Sequence, residues 1–417
     1  MKTSELLFYI IVGILIFDFL FEAILSYLNN KTRTTVLPEE LQGIYDDATY
    51  KKQQDYDATK YRFGIITSVF NLCLMMGMIF FHGFAYVDKL VANYTANPIY
   101  SALLFFGILA VAMDILSMPF SLYSTFVIEE RFGFNKTTAK TYIMDKIKGL
   151  FIAVILGGGL LSLFVWFYEI AGSYFWLYAW GAISLFMILM SMFYSSVILP
   201  LFNKLMPLEE GELRTDIEAY CNKVGFKLKN LFIMDGSKRS NKANAFFTGL
   251  GSRKTIVLFD TLVNNHTNDE LVAVLAHEVG HYKKKHTLTS IFISIAQMGV
   301  FLFLLSWLIG NADLFAALGA DHTSFQIGLV AFGLLISPVS FILSIFFNLL
   351  SRKNEYEADA YAAETFKGAA LADALKKLSK NNLSNLTPHP LYVFFHYSHP
   401  TLLQRLVALN KKKDQFG

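Results

Sequence analysis

Charge is scarce in this 417-residue chain: 17% of residues are Asp, Glu, Lys or Arg, whereas 54% are hydrophobic and 16% aromatic. That balance, with a positive mean hydropathy, excludes a disordered chain and an ordinary soluble one and indicates a membrane composition. Cysteine is nearly absent. The two present, Cys73 in an apolar run and Cys221 far from it, support neither a disulfide framework nor a cysteine metal site. The formal charge of +3 is small and no Arg/Lys stripe with interleaved aromatics occurs, so nucleic acid is not expected as a partner. There is no phosphate-cradling glycine loop and no repeat of the soluble-array kind. Gly157-Gly-Gly159 lies inside an apolar run, where close helix packing is its expected purpose.

What the chain does have is long apolar runs. Seven can cross a bilayer: Leu6 to Leu28, Gly64 to Val87, Ile99 to Phe120, Leu150 to Phe167, Tyr174 to Leu199, Thr287 to Gly310 and Ile327 to Leu350. The first is no cleaved signal, being too long, containing Asp18 and Glu22, and lacking a small-residue cleavage site. Connectors around 29–63, 125–149, 201–286 and 352–417 are Lys-rich, and the others are short and almost free of basic residues. By the positive-inside rule the N-terminus then faces outside or lumen, and the C-terminus lies in the cytoplasm. The chain divides into spans one to five (1–200), a soluble insertion (201–286), spans six and seven (287–351) and a C-terminal segment (352–417).

The insertion ends in Thr267-Asn-Asp-Glu270, an apolar run, and His277-Glu278-Val-Gly-His281. Thr267 with Glu270 is a capping box, and Lys283 to Lys285 suit a helix C-terminus, so the stretch predicts a helix. Residues four apart share a helical face, so His277 and His281 can present a ring nitrogen each to one cation, with Glu278 standing beside it. By chance this pattern arises in about one chain of this length in a hundred; the bland alternative is two surface histidines flanking a solvated Glu. A tetrahedral catalytic zinc wants a third protein ligand and an open position. Lys284 and Thr287 stand where a closely following His motif needs Gly and His, so the third ligand must come from farther on. Glu355 is the candidate, in Glu355-Tyr-Glu-Ala-Asp359, with Asp359 on the same face to receive the spare N–H of a ligand histidine. The topology tests this independently, because spans six and seven form a hairpin that returns Glu355 to the membrane face of His281.

Three short runs before the metal helix read as strands: Leu231 to Asp235, Asn244 to Thr248 and Thr255 to Asp260, with Gly249-Leu-Gly251 as the turn between the last two. Asn244-Ala245-Phe246 is the candidate edge for pairing an extended peptide; an ordinary supporting sheet is the alternative. His399, just before Pro400, can donate to an oxyanion near the metal, or simply cap or pack. Asp18, Glu22, Asn71, His82, Asp114 and Asn348 inside the apolar runs fit either a hydrated interior or pairs within a solid bundle.

With Glu129-Glu-Arg-Phe-Gly-Phe-Asn135, Ser237-Lys-Arg-Ser240, Asn244-Ala-Phe-Phe, His277-Glu-Val-Gly-His281, Glu355-Tyr-Glu-Ala-Asp359 and His396-Tyr-Ser-His399-Pro400 in this order, the chain resembles the type I CAAX prenyl proteases. That resemblance implies a mainly α, seven-helix membrane barrel around a water-filled chamber, capped by a cytoplasmic zincin-like α+β peptidase domain. It implies one zinc ion on His277, His281 and Glu355, Glu278 as base, and Asn244 and His399 holding substrate or transition state, with Arg405 nearby as a further substrate-binding residue. The implied substrate is a peptide or protein with a C-terminal, prenylated Cys-a-a-X; lipid is the surrounding partner. A compact link before the metal helix and the tail Lys411-Lys-Lys-Asp-Gln-Phe-Gly417, unlike an ER-retention signal, are departures consistent with a bacterial member. The rival from another class is a zinc-responsive transporter or channel without peptidase activity.

Overall fold

The computed structural model describes residues 2–32, 37–228, 230–248 and 255–416, with side chains as far as residue 411. The expected turn at Gly249-Leu-Gly251 lies outside the described residues. Among them, five helical stretches are long and apolar enough to cross a membrane: Thr3–Lys31, Asp47–Phe80, Pro98–Glu129, Ala139–Phe202 and His286–Leu308. A sixth arises if Phe325–Leu335 and Ser337–Thr365, bent by 53°, count as one. Phe17, Ile66, Ile115, Phe151, Phe292 and Phe346 on these stretches are all exposed. Apolar surface spread over every long helix needs a lipid solvent, and the protein is an integral membrane protein.

Seven spans were expected, and the difference lies in the fourth stretch. Its 64 residues would run roughly 96 Å as one straight helix, about three times the hydrocarbon thickness. The chain leaves helical geometry at Gly172, whose φ of +51° suits glycine, and a short turn follows at Gly172–Tyr174. Phe175–Phe193 then packs back on Gly158–Ala171, with Tyr168 against Phe175 and Phe167 against Tyr178, ring centroids 5.4 and 5.7 Å apart. The expected run to Val87 also breaks. Its helix stops at Phe80, His82 takes a left-handed φ of +53°, and Gly83–Ala92 forms a separate short helix. The last apolar run bends at Ser337-Pro338, because proline donates no N–H and disfavours helical geometry in the residue before it. The Ser337 hydroxyl donates to Asp18 of the first helix across that bend.

The soluble part holds a four-stranded sheet in the order β1-β2-β4-β3, from β1 (Leu205–Pro207), β2 (Asn230–Met234), β3 (Ala245–Thr248) and β4 (Thr255–Phe259). β4 runs parallel to β2 and antiparallel to β3, and β3 is an edge strand. The inner strand β4 is buried from Thr255 to Leu258. Its Ile256 and Leu258 join Ile217, Leu262, Leu271 and Leu275 in one apolar core. The metal helix Asn268–Lys283 runs through that core and is buried at every position from Glu270 to His277.

Two polar joints tie this domain to the membrane helices. Arg239 donates two bonds to Asp145, at 2.7 and 2.8 Å, and a further bond to the Phe202 carbonyl. Lys242 donates to Glu129 and to the Tyr56 hydroxyl, both at 2.9 Å, with its ammonium 4.4 Å from the Phe134 ring centre.

The metal helix starts on the capping box: the Thr267 N–H donates to Glu270 at 2.9 Å and the Glu270 N–H to the Thr267 hydroxyl at 3.4 Å. Lys377 reaches both Glu270 carboxylate oxygens, at 2.7 and 2.8 Å. Burial alone would raise the Glu270 carboxyl, but Lys377 and the Thr267 amide outweigh it and hold it below its ordinary 4.5. A carboxylate depressed on folding stabilises the native state above its unfolded pKa, and that contribution is lost as pH falls towards the folded value. Glu270→Gln should therefore lower stability by about 1–2 kcal/mol at pH 7. In thermal unfolding of purified protein, the gap to wild type should narrow as pH drops below about 4.5.

Candidate metal centre

His277 and His281 face Glu355 across a contact between the metal helix and the helix Ser337–Thr365. The two Nε2 atoms are 3.1 Å apart, and the Glu355 carboxylate oxygens lie 3.5 Å from that of His277 and 3.3 Å from that of His281. One ligand atom from each of the three falls within 4.8 Å of the others. On its own helix Glu355 belongs to a buried stripe with Ala358, Asp359 and Ala362, spaced to face one neighbour. The neighbour can come close because it presents Gly280. A Cβ there would stand 3.1 Å from both the Cα and the carbonyl oxygen of Ala358.

Asp359 lies 2.8 Å from the His277 Nδ1. An ionised carboxylate only accepts, so His277 carries its proton on Nδ1 and turns a bare Nε2 lone pair towards His281 and Glu355. Glu355 is 5% exposed, and its Oε2 has no hydrogen-bond partner. A buried carboxylate oxygen facing the His277 lone pair with no proton between them is repulsive and unsatisfied. A divalent cation removes both defects, and two imidazoles with one carboxylate form a ligand set suited to zinc. The residues present fit a metal.

Arg405 completes the cluster. Its Nε donates to Asp359 at 2.8 Å, a second nitrogen reaches the other carboxylate oxygen, and Nη1 lies 3.6 Å from Glu355. Burial alone would lower the guanidinium pKa, but Asp359 and Glu355 raise it, so the charge is held. The guanidinium, only 11% exposed, is thus engaged with acids of the centre rather than with open solvent. Glu278 stands next to His277 on the same helix, and burial pushes its carboxyl above the ordinary range against the lowering pull of His277 and His281. His399 reaches in from the C-terminal segment, its Nε2 3.3 Å from Glu355 with the side chain 63% exposed.

The edge-strand residues are not drawn into this cluster. Asn244 is exposed, its side-chain oxygen accepts from the Ala245 N–H, and its carbonyl accepts from the Phe259 N–H of β4. Ala245 and Phe246 pair with Leu258 and Val257. One buried polar residue escaped the sequence reading. His286, at the start of His286–Leu308, sits 3.0 Å from the His281 Nδ1. It lies five residues after His281, off the four-residue spacing that marks a ligand pair, though a lone histidine just after a basic helix end was a usable signal.

An open cavity of about 1020 Å3 lies between the first two membrane helices and the C-terminal segment. Asp18, Glu22 and Asn71 line it, so three of the six polar residues within the apolar runs face open space, and it extends to Tyr397, two residues before His399. Asp18 and Glu22 also have partners, Ser337 and His396, and two others are paired away from the cavity: Asp114 with Lys146, and Asn348 donating to the Phe395 carbonyl.

Comparison with known proteins agrees with this geometry. A family model described as CAAX prenyl protease N-terminal, five membrane helices, matches residues 26–204, and one described as Peptidase family M48 matches residues 207–413. CAAX prenyl protease 1 of Saccharomyces cerevisiae is 36% identical, with 97% of this chain and 96% of that protein aligned. CAAX prenyl protease 1 homologs of Arabidopsis thaliana and Homo sapiens are 36% and 34% identical, covering 97% and 91% of this chain and 98% and 90% of their own. The crystal structure of S. mikatae Ste24p superposes with a TM-score of 0.92 at 35% identity, over 98% of this chain and 99% of that one.

Three substitutions probe the packing of the centre. Asp359→Ala leaves Arg405 buried without its partner and should cost on the order of 3–5 kcal/mol in thermal unfolding, whereas adding Arg405→Met should recover most of the loss. Gly280→Ala should cost about 1–3 kcal/mol because the new methyl meets backbone that must shift.

Proposed function

The chain belongs to peptidase family M48, as an integral-membrane metallopeptidase, and from that premise we propose that it is a zinc endopeptidase cutting near the C-terminus of CAAX-type, prenylated proteins. The observation that carries the metal assignment is the convergence of His277, His281 and the unpartnered Glu355 oxygen on one point. The substrate class comes from the relatives, which are named CAAX prenyl proteases over nearly their whole length.

His277, His281 and Glu355 hold the ion, one per chain. When bound, zinc supplies Lewis acidity, making a nearby water easier to deprotonate and a carbonyl easier to attack. Glu278 takes the proton of the attacking water and passes it to the leaving amine. A carboxyl raised by burial is better matched to that shuttle near neutral pH than an exposed one. His399, half open to solvent at the rim of the centre, donates to the developing oxyanion.

Asn244, Ala245 and Phe246 receive the substrate as an added strand on the free edge of β3. Main-chain pairing of that kind holds an extended peptide with little demand on its sequence. Arg405 acts through Asp359 rather than by touching substrate. The cavity lined by Asp18, Glu22 and Asn71 belongs to a water-filled chamber enclosed by a barrel of seven helices, with the metal centre on its cytoplasmic side and the N-terminus outside or lumenal. A zinc-responsive transporter is not favoured, because the M48 match covers the whole soluble part and a transport site has no use for Glu278.

Purified protein should release the C-terminal residues of a farnesylated Cys-a-a-X peptide faster than those of its unprenylated twin. Glu278→Gln should abolish most cleavage yet retain the metal, and His399→Ala should lower turnover about 100- to 1,000-fold with metal content unchanged. Full activity in Glu278→Gln would overturn the mechanism, and preference for the unprenylated twin would overturn only the substrate class.

A further inference from the structure

The two proposed histidine ligands need the same tautomer, yet only His277 has an acid beside its Nδ1. His281 meets a second imidazole instead. Its Nδ1 lies 3.0 Å from the Nδ1 of His286, and the Nε2 of His286 lies 3.1 Å from a carboxylate oxygen of Glu357. His286 is 7% exposed and both its nitrogens are partnered, as a buried ring at the head of a membrane helix requires. Its placement depends on an uncommon backbone. Lys285 takes φ +61°, which costs a non-glycine residue about 1 kcal/mol, and that turn carries the first residue of the next helix back over the metal helix. The two rings end 5.1 Å apart, at 73°.

The polarity of this chain of bonds follows from its far end. Glu357, ionised and also 3.8 Å from Lys353, only accepts, so the His286 Nε2 carries a proton. A neutral His286 then has a bare Nδ1, which must accept from the His281 Nδ1–H. His281 is left with a bare Nε2 on the side facing His277 and Glu355. The reverse polarity needs a doubly protonated His286 and puts the His281 proton on Nε2, where it bars metal binding. We propose that Glu357 and His286 act in series as positioning residues that fix the tautomer and ring plane of His281 as a metal ligand, as Asp359 does for His277. This rests on the ligand set proposed above. One carboxylate thus orients two rings, and the relay ties the start of His286–Leu308 to the helix that supplies Glu355.

The test is metal affinity of the purified full-length protein, by competition with a chromophoric chelator for zinc and by the absorption spectrum of the cobalt(II)-loaded form. His286→Phe keeps a packed ring but offers no acceptor; it should weaken zinc binding about 10- to 100-fold and alter the cobalt spectrum. His286→Asn, with an amide oxygen near the position of Nδ1, should restore most of the affinity, which a merely structural role for His286 does not predict. Glu357→Ala should weaken binding in the same direction, by less. Zinc held within about twofold of wild type by His286→Phe would overturn the proposal, as would His286→Asn binding no better than His286→Phe. If His286→Phe does not fold, Glu357→Ala decides, since its side chain is 39% exposed and its removal leaves packing intact; undiminished affinity there overturns the relay. Wild-type protein without stoichiometric metal would sink the ligand set itself.

Discussion

Two helices can approach at Gly280 and Ala358 only because neither presents a side chain larger than a methyl there. The functional residues are placed identically around this contact. His277 and His281 lie three before and one after Gly280; Glu355 and Asp359 lie three before and one after Ala358. Positions with those offsets share a flank of a helix, so one close crossing sets four side chains in a single layer. The buried stripe of Ser337–Thr365 and the run of the facing helix buried from Glu270 to His277 hold the crossing in place from either side. Everything chemical in the soluble part is downstream of that approach distance.

Such a layer concentrates charge where water is scarce. Glu355 and Asp359 are 5% and 2% exposed, and Arg405 supplies one positive charge against them. Isolated buried ions cost several kcal/mol each, so an arrangement of this kind persists only when partners are near ideal. Asp359 meets that condition, bonded to Arg405 through two nitrogens and to His277. Glu355 does not, since one oxygen lacks a hydrogen bond. The deficit falls on the carboxylate proposed as a ligand and not on the one proposed to orient a ligand. A structural ion pair would have distributed its bonds the other way.

How much of this could be read from residue order varies with how local the cause is. The capping box at Thr267 and Glu270 is local, and the helix starts there. The two motifs were visible because their spacing is helical, and their meeting was inferable from the hairpin between them. Other features were not visible because they need a partner from far away. β1 is three residues ending in Pro207, too short for alternation to show, and it exists because β2 offers an edge. Arg239, inside the Ser237-Lys-Arg-Ser240 motif, finds its role only through Asp145, 94 residues earlier. The Leu150 to Phe167 and Tyr174 to Leu199 runs read as separate, and the chain does turn between them at Gly172; hydropathy marks the gap but not the left-handed glycine φ that makes the turn. At Ser337-Pro338 the proline was readable as a bend, but the 53° angle depends on the neighbouring helices.

The membrane part is not a passive anchor for this centre, because Glu355 lies on a helix that enters the bilayer and the helix carrying His277 and His281 ends three residues before another begins. Ser337–Thr365 is one 29-residue helix from the bend at Pro338 to beyond Asp359, so Glu355 is carried on the same unbroken helix as the bend. His286–Leu308 begins beside His281 and is held in the bilayer where Gly299 lets Trp180 approach, with the Trp180 N–H donating to the Ile295 carbonyl at 2.7 Å. The bend separates the segment that reaches the site from Phe325–Leu335, whose Ile327, Ala331 and Leu334 pack with Ile11 and Phe105 of the first and third membrane-length helices. A layer held together by contacts of about 3 Å tolerates little displacement of either helix.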